Sequence, residues 1–447
     1  MHTVPSGHGE PAAMTRRTLA GGAATLRRAA RAPLRRAARA VALSAVLAIA
    51  IVVSSCAPPP PPSTAATRIV FRHSHMPADR DPLAPLIAAF EARHPGVTVA
   101  REALPWTADV QHQFYVMNLE GGSAGFDVLM LDVIWVAEFA RAGWLLDISD
   151  RWPEAVRAEH FAAAREAAMF DGRAWAVPWV TNVGLLYYRA DLLARHGLTP
   201  PDSYEDLARK ALSVLEREQT PGLHGFLWQG KQYEGLVVNV LEGFWAAGTD
   251  VVGPDGRVFP DPDRAARALA LRRDLLRTGA SPALVMGADE ELTRREFGAG
   301  RAVFMRNWPY AIEMYEEQGS PVRGRVGIVP LPGGGALGGA HLGINRRTRR
   351  PDLAWALVDH LTRPDAQRQI AAAIGLHPTR PALLRSPLLL RIFTEARPRP
   401  VTPWYQTISA ALQPAFSAAI LGVTPVATTL TDARRRLEFF VRDRDGR

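Results

Sequence analysis

Asp132 follows the apolar run Phe126-Asp127-Val128-Leu129-Met130-Leu131, which reads as a buried strand, and Asn182 precedes another, Leu185-Leu186-Tyr187-Tyr188. Ligands of open α/β sheets collect outside the carboxyl ends of the strands, which makes Asp132, just past one such end, and Asn182, in the loop before another strand, candidates for contact with a small molecule. Trp308, between Asn307 and Pro309, stands outside any clear amphipathic helix and reads as a stacking platform. Trp144, Trp152 and Trp355 sit in or beside apolar helical faces and read as core. These are hydrogen-bonding and stacking groups, and their types alone do not name a ligand.

Two other patterns imitate chemistry. Gly333, Gly335 and Gly338 have the G-x-G-x-x-G spacing, but that motif must open a helix, and here the strand Leu342-Gly343-Ile344 follows, so the glycines read as a flexible loop. His73 and His75 find no cysteine and no second histidine pair to complete a metal site. Neither a metal nor a cofactor is expected. The chain has no G-x-S-x-G elbow, zinc helix or phosphate loop. One enzyme class stays open: a glycoside hydrolase needs two carboxylates facing one bond, and the sequence does not say whether Asp132 and Glu234 do so.

Strands and helices alternate along the chain that must position these residues. Arg68 to Arg72 reads as a strand, Leu83, Leu86, Ile87 and Phe90 recur at helical spacing up to Pro95-Gly96, and Val97 to Val99 returns to strand. Ser203, three residues before Asp206, opens a helix through Leu207, Ala211 and Leu215 with a capping-box pattern. Further helices are expected at 236–244, 264–277, 289–298, 353–361, 365–374 and 425–436, with a strand at 326–329. This is the pattern of an α/β sheet with helices on both faces. The stretch from Cys56 to Arg447 is too long for one ordinary core, so two domains with a ligand cleft between them are expected.

The first 55 residues differ from the rest. Eight arginines, from Arg16 to Arg39, stand against the single acid Glu10, and the apolar run Val41 to Val53 ends at Ser54-Ser55-Cys56. A basic stretch, a short apolar stretch and small residues before a cut point make an export signal. Val53-Ser54-Ser55-Cys56 resembles the lipobox of bacterial lipoproteins, in which the cysteine is lipidated and becomes the first mature residue. A plain secretory signal is the alternative. Residues 56–67, with Pro58 to Pro62, read as a semi-rigid tether. The net charge of +9 comes from 53 basic and 44 acidic side chains. Without the eight arginines and one acid of the leader, 45 and 43 remain, a net of +2, which argues against a nucleic-acid partner.

Several longer stretches are similar to the bacterial extracellular solute-binding proteins of carbohydrate importers, and within them to the trehalose/maltose-binding branch. They are Gly225 to Leu236, Phe126 to Trp135, Pro178 to Arg189, Arg306 to Tyr310, Gly338 to Ile344 and Arg397 to Tyr405. The resemblance implies a type II periplasmic-binding-protein fold: two α/β lobes, hinged and joined by crossover strands. It places 68–178 and 330–374 in the first lobe and 179–329 and 375–447 in the second. It implies a monomer that closes on a disaccharide of the trehalose or maltose type and docks on the permease subunits of an ABC transporter with their cytoplasmic ATPase. The protein would be no enzyme. It would be lipid-anchored through Cys56, at the outer face of the cytoplasmic membrane or in the periplasm.

A sugar needs carboxylates, amides and arginine for its hydroxyls and aromatic rings for its C–H face. The resemblance places Asp132, Asn182, Glu234, Trp308 and Arg399 near the cleft. Asp79 or Asp81 would stand where the family has a glutamate, and His341 comes within reach. Position 182 is often Asp in the branch, position 340 often Trp and position 180 Tyr in some members; Asn182, Ala340 and Val180 depart from that pattern and imply an altered sugar preference. A sugar-sensing ectodomain for a membrane receptor, or the glycoside hydrolase named above, would share much of this pattern.

Overall fold

The computed structural model describes residues 66–75, 81–105, 108–253 and 255–442, all of one compact unit that begins at Ala65. Cys56, Asp79 and the whole leader lie outside the described residues. The strands are β1 (Thr67–Ser74), β2 (Val97–Leu104), β3 (Val128–Asp132), β4 (Met169–Phe170), β5 (Arg173–Ala174), β6 (Ala176–Val183), β7 (Leu185–Arg189), β8 (His224–Leu227), β9 (Ala302–Asn307), β10 (Val326–Pro330), β11 (Leu337–Ile344) and β12 (His377–Pro378). They form a six-stranded sheet in the order β12-β6-β11-β3-β1-β2, a four-stranded sheet in the order β10-β7-β9-β8 and the small β4-β5 hairpin. In the first sheet β1 is parallel to β2 and β3, while β11 is antiparallel to β3 and β6. Each larger sheet carries helices, giving a two-lobed α/β fold.

Alternation along β1 sends Ile69 and Phe71 to one face of the six-stranded sheet and Val70 to the other. Leu86, Ile87 and Phe90 of the helix Ala84–Arg93 and Leu357 of the helix Pro351–Thr362 cover the first face; Tyr115, Trp135 and Phe139 cover the second. A sheet buried on both faces explains why the run into β3 is almost unbrokenly apolar. The four-stranded sheet packs Leu186, Phe226 and Phe304 with Val240, Leu241 and Phe244 of the helix Glu234–Ala246. Trp152 is buried, and Trp144 and Trp355 are half-buried against the two cores of the first sheet. The helix Tyr204–Glu218 begins as its sequence suggests, with the Asp206 N–H donating to Ser203 Oγ at 3.2 Å.

The chain crosses between the two sheets three times. β6 stays paired with β11 through Val183, so the first crossing falls at Gly184, past the Pro178 boundary that the family resemblance implied. Pro178 is tolerated inside the sheet because the β6–β11 register shifts beside its partner His341. The last crossing lies beyond Ile374, since β12 still pairs with β6. At the hinge the three passes bind one another. The Gly184 N–H donates to the Ala336 carbonyl at 3.1 Å, the Leu337 N–H to the Arg397 carbonyl at 2.8 Å, and the Arg397 N–H to the Gly335 carbonyl at 3.0 Å. A Cβ on Gly335 would lie 2.0 Å from the Gly184 carbonyl oxygen, so this approach requires glycine.

Burial holds three histidines neutral in the first lobe and at its edge: His160 is pushed down to about 3, and His341 and His377 to about 4. In the unfolded chain each takes a proton near its ordinary pKa of about 6.5. Their stabilisation is therefore complete above about pH 6.5 and is lost as the pH falls towards 4. Denaturant melts between pH 8 and 5 should show a plateau above 6.5, then a fall of up to about 1.4 kcal/mol per pH unit for each histidine. A stability that is flat from pH 6.5 to 5 would contradict this.

Candidate functional site

Asp132 is the last residue of β3, and its Oδ1 accepts the Ile134 N–H at 3.2 Å, which fixes the carboxylate at the strand end. Glu234 opens the helix Glu234–Ala246 in the other lobe, where the partial positive charge of a helix N-terminus favours a carboxylate. Arg399 joins them. Its Nη2 donates to Asp132 Oδ1 at 3.0 Å and its Nη1 to Glu234 Oε1 at 2.8 Å, and only 4 % of its side chain is exposed. Desolvation alone would lower the guanidinium's pKa, but the charges of Asp132 and Glu234 outweigh it and hold the pKa above its ordinary value. Glu234 is shifted upward by burial, against the opposing pull of Arg399, Ser409 and Tyr405.

Two further groups complete Glu234's bonding. The Tyr405 hydroxyl donates to its Oε1 at 2.8 Å, and the Ser409 hydroxyl donates to its Oε2. Sequence reasoning singled out neither residue. The signal was present: Tyr405 ends the Arg397–Tyr405 stretch, and Ser409 lies four residues on in the helix Tyr405–Ile420, hence on the same face.

Asn182 and Trp308 form a second group. Asn182 pairs with Gly338 across β6 and β11, and its buried Oδ1 has no partner among the described residues. The far edge of the Trp308 ring lies over the same glycine, since a Cβ on Gly338 would meet Cζ3 at 3.1 Å and Cη2 at 3.3 Å. Trp308 Nε1 donates to Glu290 Oε1 at 3.3 Å, Tyr233 donates to Glu290 Oε2 at 2.6 Å, and the Arg306 guanidinium lies 4.0 Å from the centre of the Trp308 ring. The ring is half-buried and held at both its edge and its face.

The remaining candidates lie elsewhere. Asp81 accepts the Leu83 and Ala84 N–H groups at 3.0 and 3.2 Å, at the start of the helix Ala84–Arg93, and pairs with Arg101. His341 is buried near His160 and the Ala164 backbone, and no described contact joins it to Asp132, Glu234 or Arg399. Val180 and Ala340 face each other across β6 and β11 and are both buried in the first lobe.

The lobes touch across the cleft. Besides Arg399 and Asp132, Gln406 Nε2 donates to Asp109 Oδ1 at 3.4 Å, and Arg141 lies 4.5 Å from the centre of the Trp404 ring. The space beside Arg399, walled by Val133, Ile134 and Pro400, is about 10 Å³, room for about one water. A cavity of about 350 Å³ lies further along, between Phe170, Asp171, Thr402 and Trp404; none of Asp132, Asn182, Glu234 or Trp308 lines it.

Two lobes, three crossings and a polar cluster bridging the cleft are the architecture of a binding protein, and comparison with known proteins agrees. The family described as bacterial extracellular solute-binding protein matches residues 85–389. The chain belongs to this family. A probable ABC transporter-binding protein of Deinococcus radiodurans is 33 % identical over 372 residues, 78 % of this chain and 86 % of that protein. Maltose-bound MalE3 of T. maritima superposes with a TM-score of 0.76 and 34 % identity, covering 84 % of this chain and all of that one. The GacH receptor of Streptomyces glaucescens GLA.O, at 21 % identity and a TM-score of 0.73 over 85 % of this chain and 99 % of that one, shares the fold.

A solute-binding protein uses this cluster differently from a hydrolase. A glycosidase sets one protonated and one ionised carboxyl on either side of the bond to be cut. Here Asp132 and Glu234 both bind one guanidinium instead of facing each other across an open space that could hold a bond. Removing the cation would strand two carboxylates. Arg399→Ala should cost roughly 3–5 kcal/mol in urea melts of the ligand-free protein. Asp132→Asn, at the more exposed carboxylate and with an acceptor oxygen retained, should cost far less. Equal costs for the two would contradict the bridging role.

Proposed function

We propose that this protein captures an α-linked glucose disaccharide, maltose or trehalose, between its lobes and delivers it to the permease subunits of an ABC importer. The observation that carries the reading is the unpartnered, buried Oδ1 of Asn182 beside the half-exposed ring of Trp308. An open acceptor next to an aromatic plane suits a ligand with hydroxyls on its rim and a C–H face. Asp132, Glu234 and Arg399 present further polar groups across the cleft. The likeness to maltose-bound MalE3, and a 22 % identical maltotriose-binding protein of Pyrococcus abyssi, support a sugar of this class. Asn182, where the branch often has Asp, sets the preference among such sugars. Asp79, whose place is outside the described residues, is a further candidate contact.

Titration calorimetry with maltose and trehalose tests the reading. One site per chain is expected, with the sugar recovered intact; glucose in the recovered sample would support a hydrolase instead. Trp308→Ala should weaken binding by about 1–3 kcal/mol, the scale of burying an apolar side chain. A variant that binds as tightly as the unaltered protein would remove the platform.

The same reading places the protein outside the cytoplasmic membrane on a lipid anchor at Cys56, with the proline-rich stretch as tether. Intact-mass analysis of membrane-extracted protein should find Cys56 as the first residue, carrying a diacylglyceryl group. An unlipidated mature form beginning elsewhere would refute the anchor.

A further inference from the structure

Behind the Trp308 ring lies a buried ion pair that the site itself does not use. Arg306 Nε donates to Glu242 Oε2 at 2.9 Å and Nη2 to Glu242 Oε1 at 2.6 Å, with the two side chains 1 % and 0 % exposed. Glu242 Oε1 also accepts the N–H of Ala336 at 3.1 Å, and Ala336 belongs to the second crossing. The first crossing passes over the pair: a Cβ on Gly184 would come within 2.2 Å of Glu242 Oε1 and 2.4 Å of Arg306 Nη2. The same guanidinium lies over the Trp308 ring, 4.0 Å from its centre. Gln229 steadies the assembly by donating from Nε2 to the Arg306 carbonyl and to Thr293 Oγ1, each at 2.9 Å.

Replacing a buried ion pair by apolar side chains of equal volume is often neutral or stabilising, so stability alone does not account for this one. What it supplies is direction. A bidentate carboxylate fixes the plane of the guanidinium, and the fixed guanidinium sits over the ring.

We propose that the Glu242–Arg306 pair is a positioning device that ties the hinge to the Trp308 ring, so that rotation about Gly184 and Ala336 re-aims the ring and a sugar stacked there favours closure. The proposal rests on the reading of Trp308 as the sugar platform. Coupling of this kind is reciprocal: whatever the hinge does to the ring, a ligand on the ring does to the hinge.

The test is a double-mutant cycle with maltose as probe, using the full chain with Cys56→Ser. Dyes on Met117→Cys and Val423→Cys, both exposed and one in each lobe, report the distance between the lobes. Glu242→Gln keeps an acceptor for the Ala336 N–H and removes the charge. It is expected to shift the ligand-free inter-lobe distance and raise the maltose Kd at least tenfold. Combined with Trp308→Ala, it should add no further loss, because the pair acts through the ring. Losses that multiply in the double variant would overturn the proposal, as would an unchanged distance and Kd in Glu242→Gln. Should Glu242→Gln fail to fold, Arg306→Lys, which keeps both charges but not the planar fork, takes its place in the cycle. If the unaltered protein binds neither maltose nor trehalose, the sugar reading fails separately. The ligand-free distance then decides whether the pair holds the hinge: a shift supports it and an unchanged distance refutes it.

Discussion

Two carboxylates from different lobes meet on one buried arginine from the segment after the third crossing, and the geometry of the cleft follows from keeping that cation paired. Asp132 is fixed by the end of a strand, Glu234 by the start of a helix, and Arg399 is aimed between them. Each ion alone would be too costly to bury, so removing any one of them changes what the other two can do. The two carboxylates are not equivalent. Glu234 is wrapped by Tyr405 and Ser409 within its own lobe, whereas Asp132 reaches Arg399 from the opposite lobe and is 26 % exposed. The second-lobe half of the cluster therefore stays assembled when the lobes part, and the Asp132 contact is the one that breaks.

The closed cleft leaves space for little more than one water beside Arg399. A sugar reaches the space beside Arg399 only by displacing contacts the protein makes with itself, among them the Arg399–Asp132 bond. Affinity is then the difference between sugar contacts and self-contacts, and a ligand shifts the hinge only as far as that difference allows.

Much of this was legible in the sequence because it is local. Apolar runs marked β3 and β7, Ser203 and Asp206 marked a helix start, and the position of Asp132 after a strand pointed to the cleft. Trp308 stood out because nothing near it formed an amphipathic face. The parts that were not legible depend on distance. Arg399 and Glu234 are 165 residues apart in sequence, and Arg306 and Glu242 are 64 apart. No spacing rule links such pairs. Resemblance to a family supplied the first; the second had no such guide. The lobe boundary carried over from the family near Pro178 fell short of the crossing, because β6 runs on past that proline, beside a register shift in its pairing with β11. Asp81 had a local explanation beside the functional one: an aspartate just before a helix that opens at Ala84 binds backbone N–H groups there.

The strand order also dictates when each lobe can exist. The four-stranded sheet draws on Leu185 to Pro330 alone, an uninterrupted length of chain, while the six-stranded sheet needs Thr67 at one extreme and Pro378 at the other. A chain emerging from its amino end presents β1 and β2 first, yet β3 and β6 stay unjoined until β11, some 150 residues behind β6, arrives to lie between them. The first lobe to appear is thus the last to be finished. During that interval its strands show open edges, the surfaces most prone to pair with another chain. Slow completion suits a polypeptide made for export from the cell that makes it.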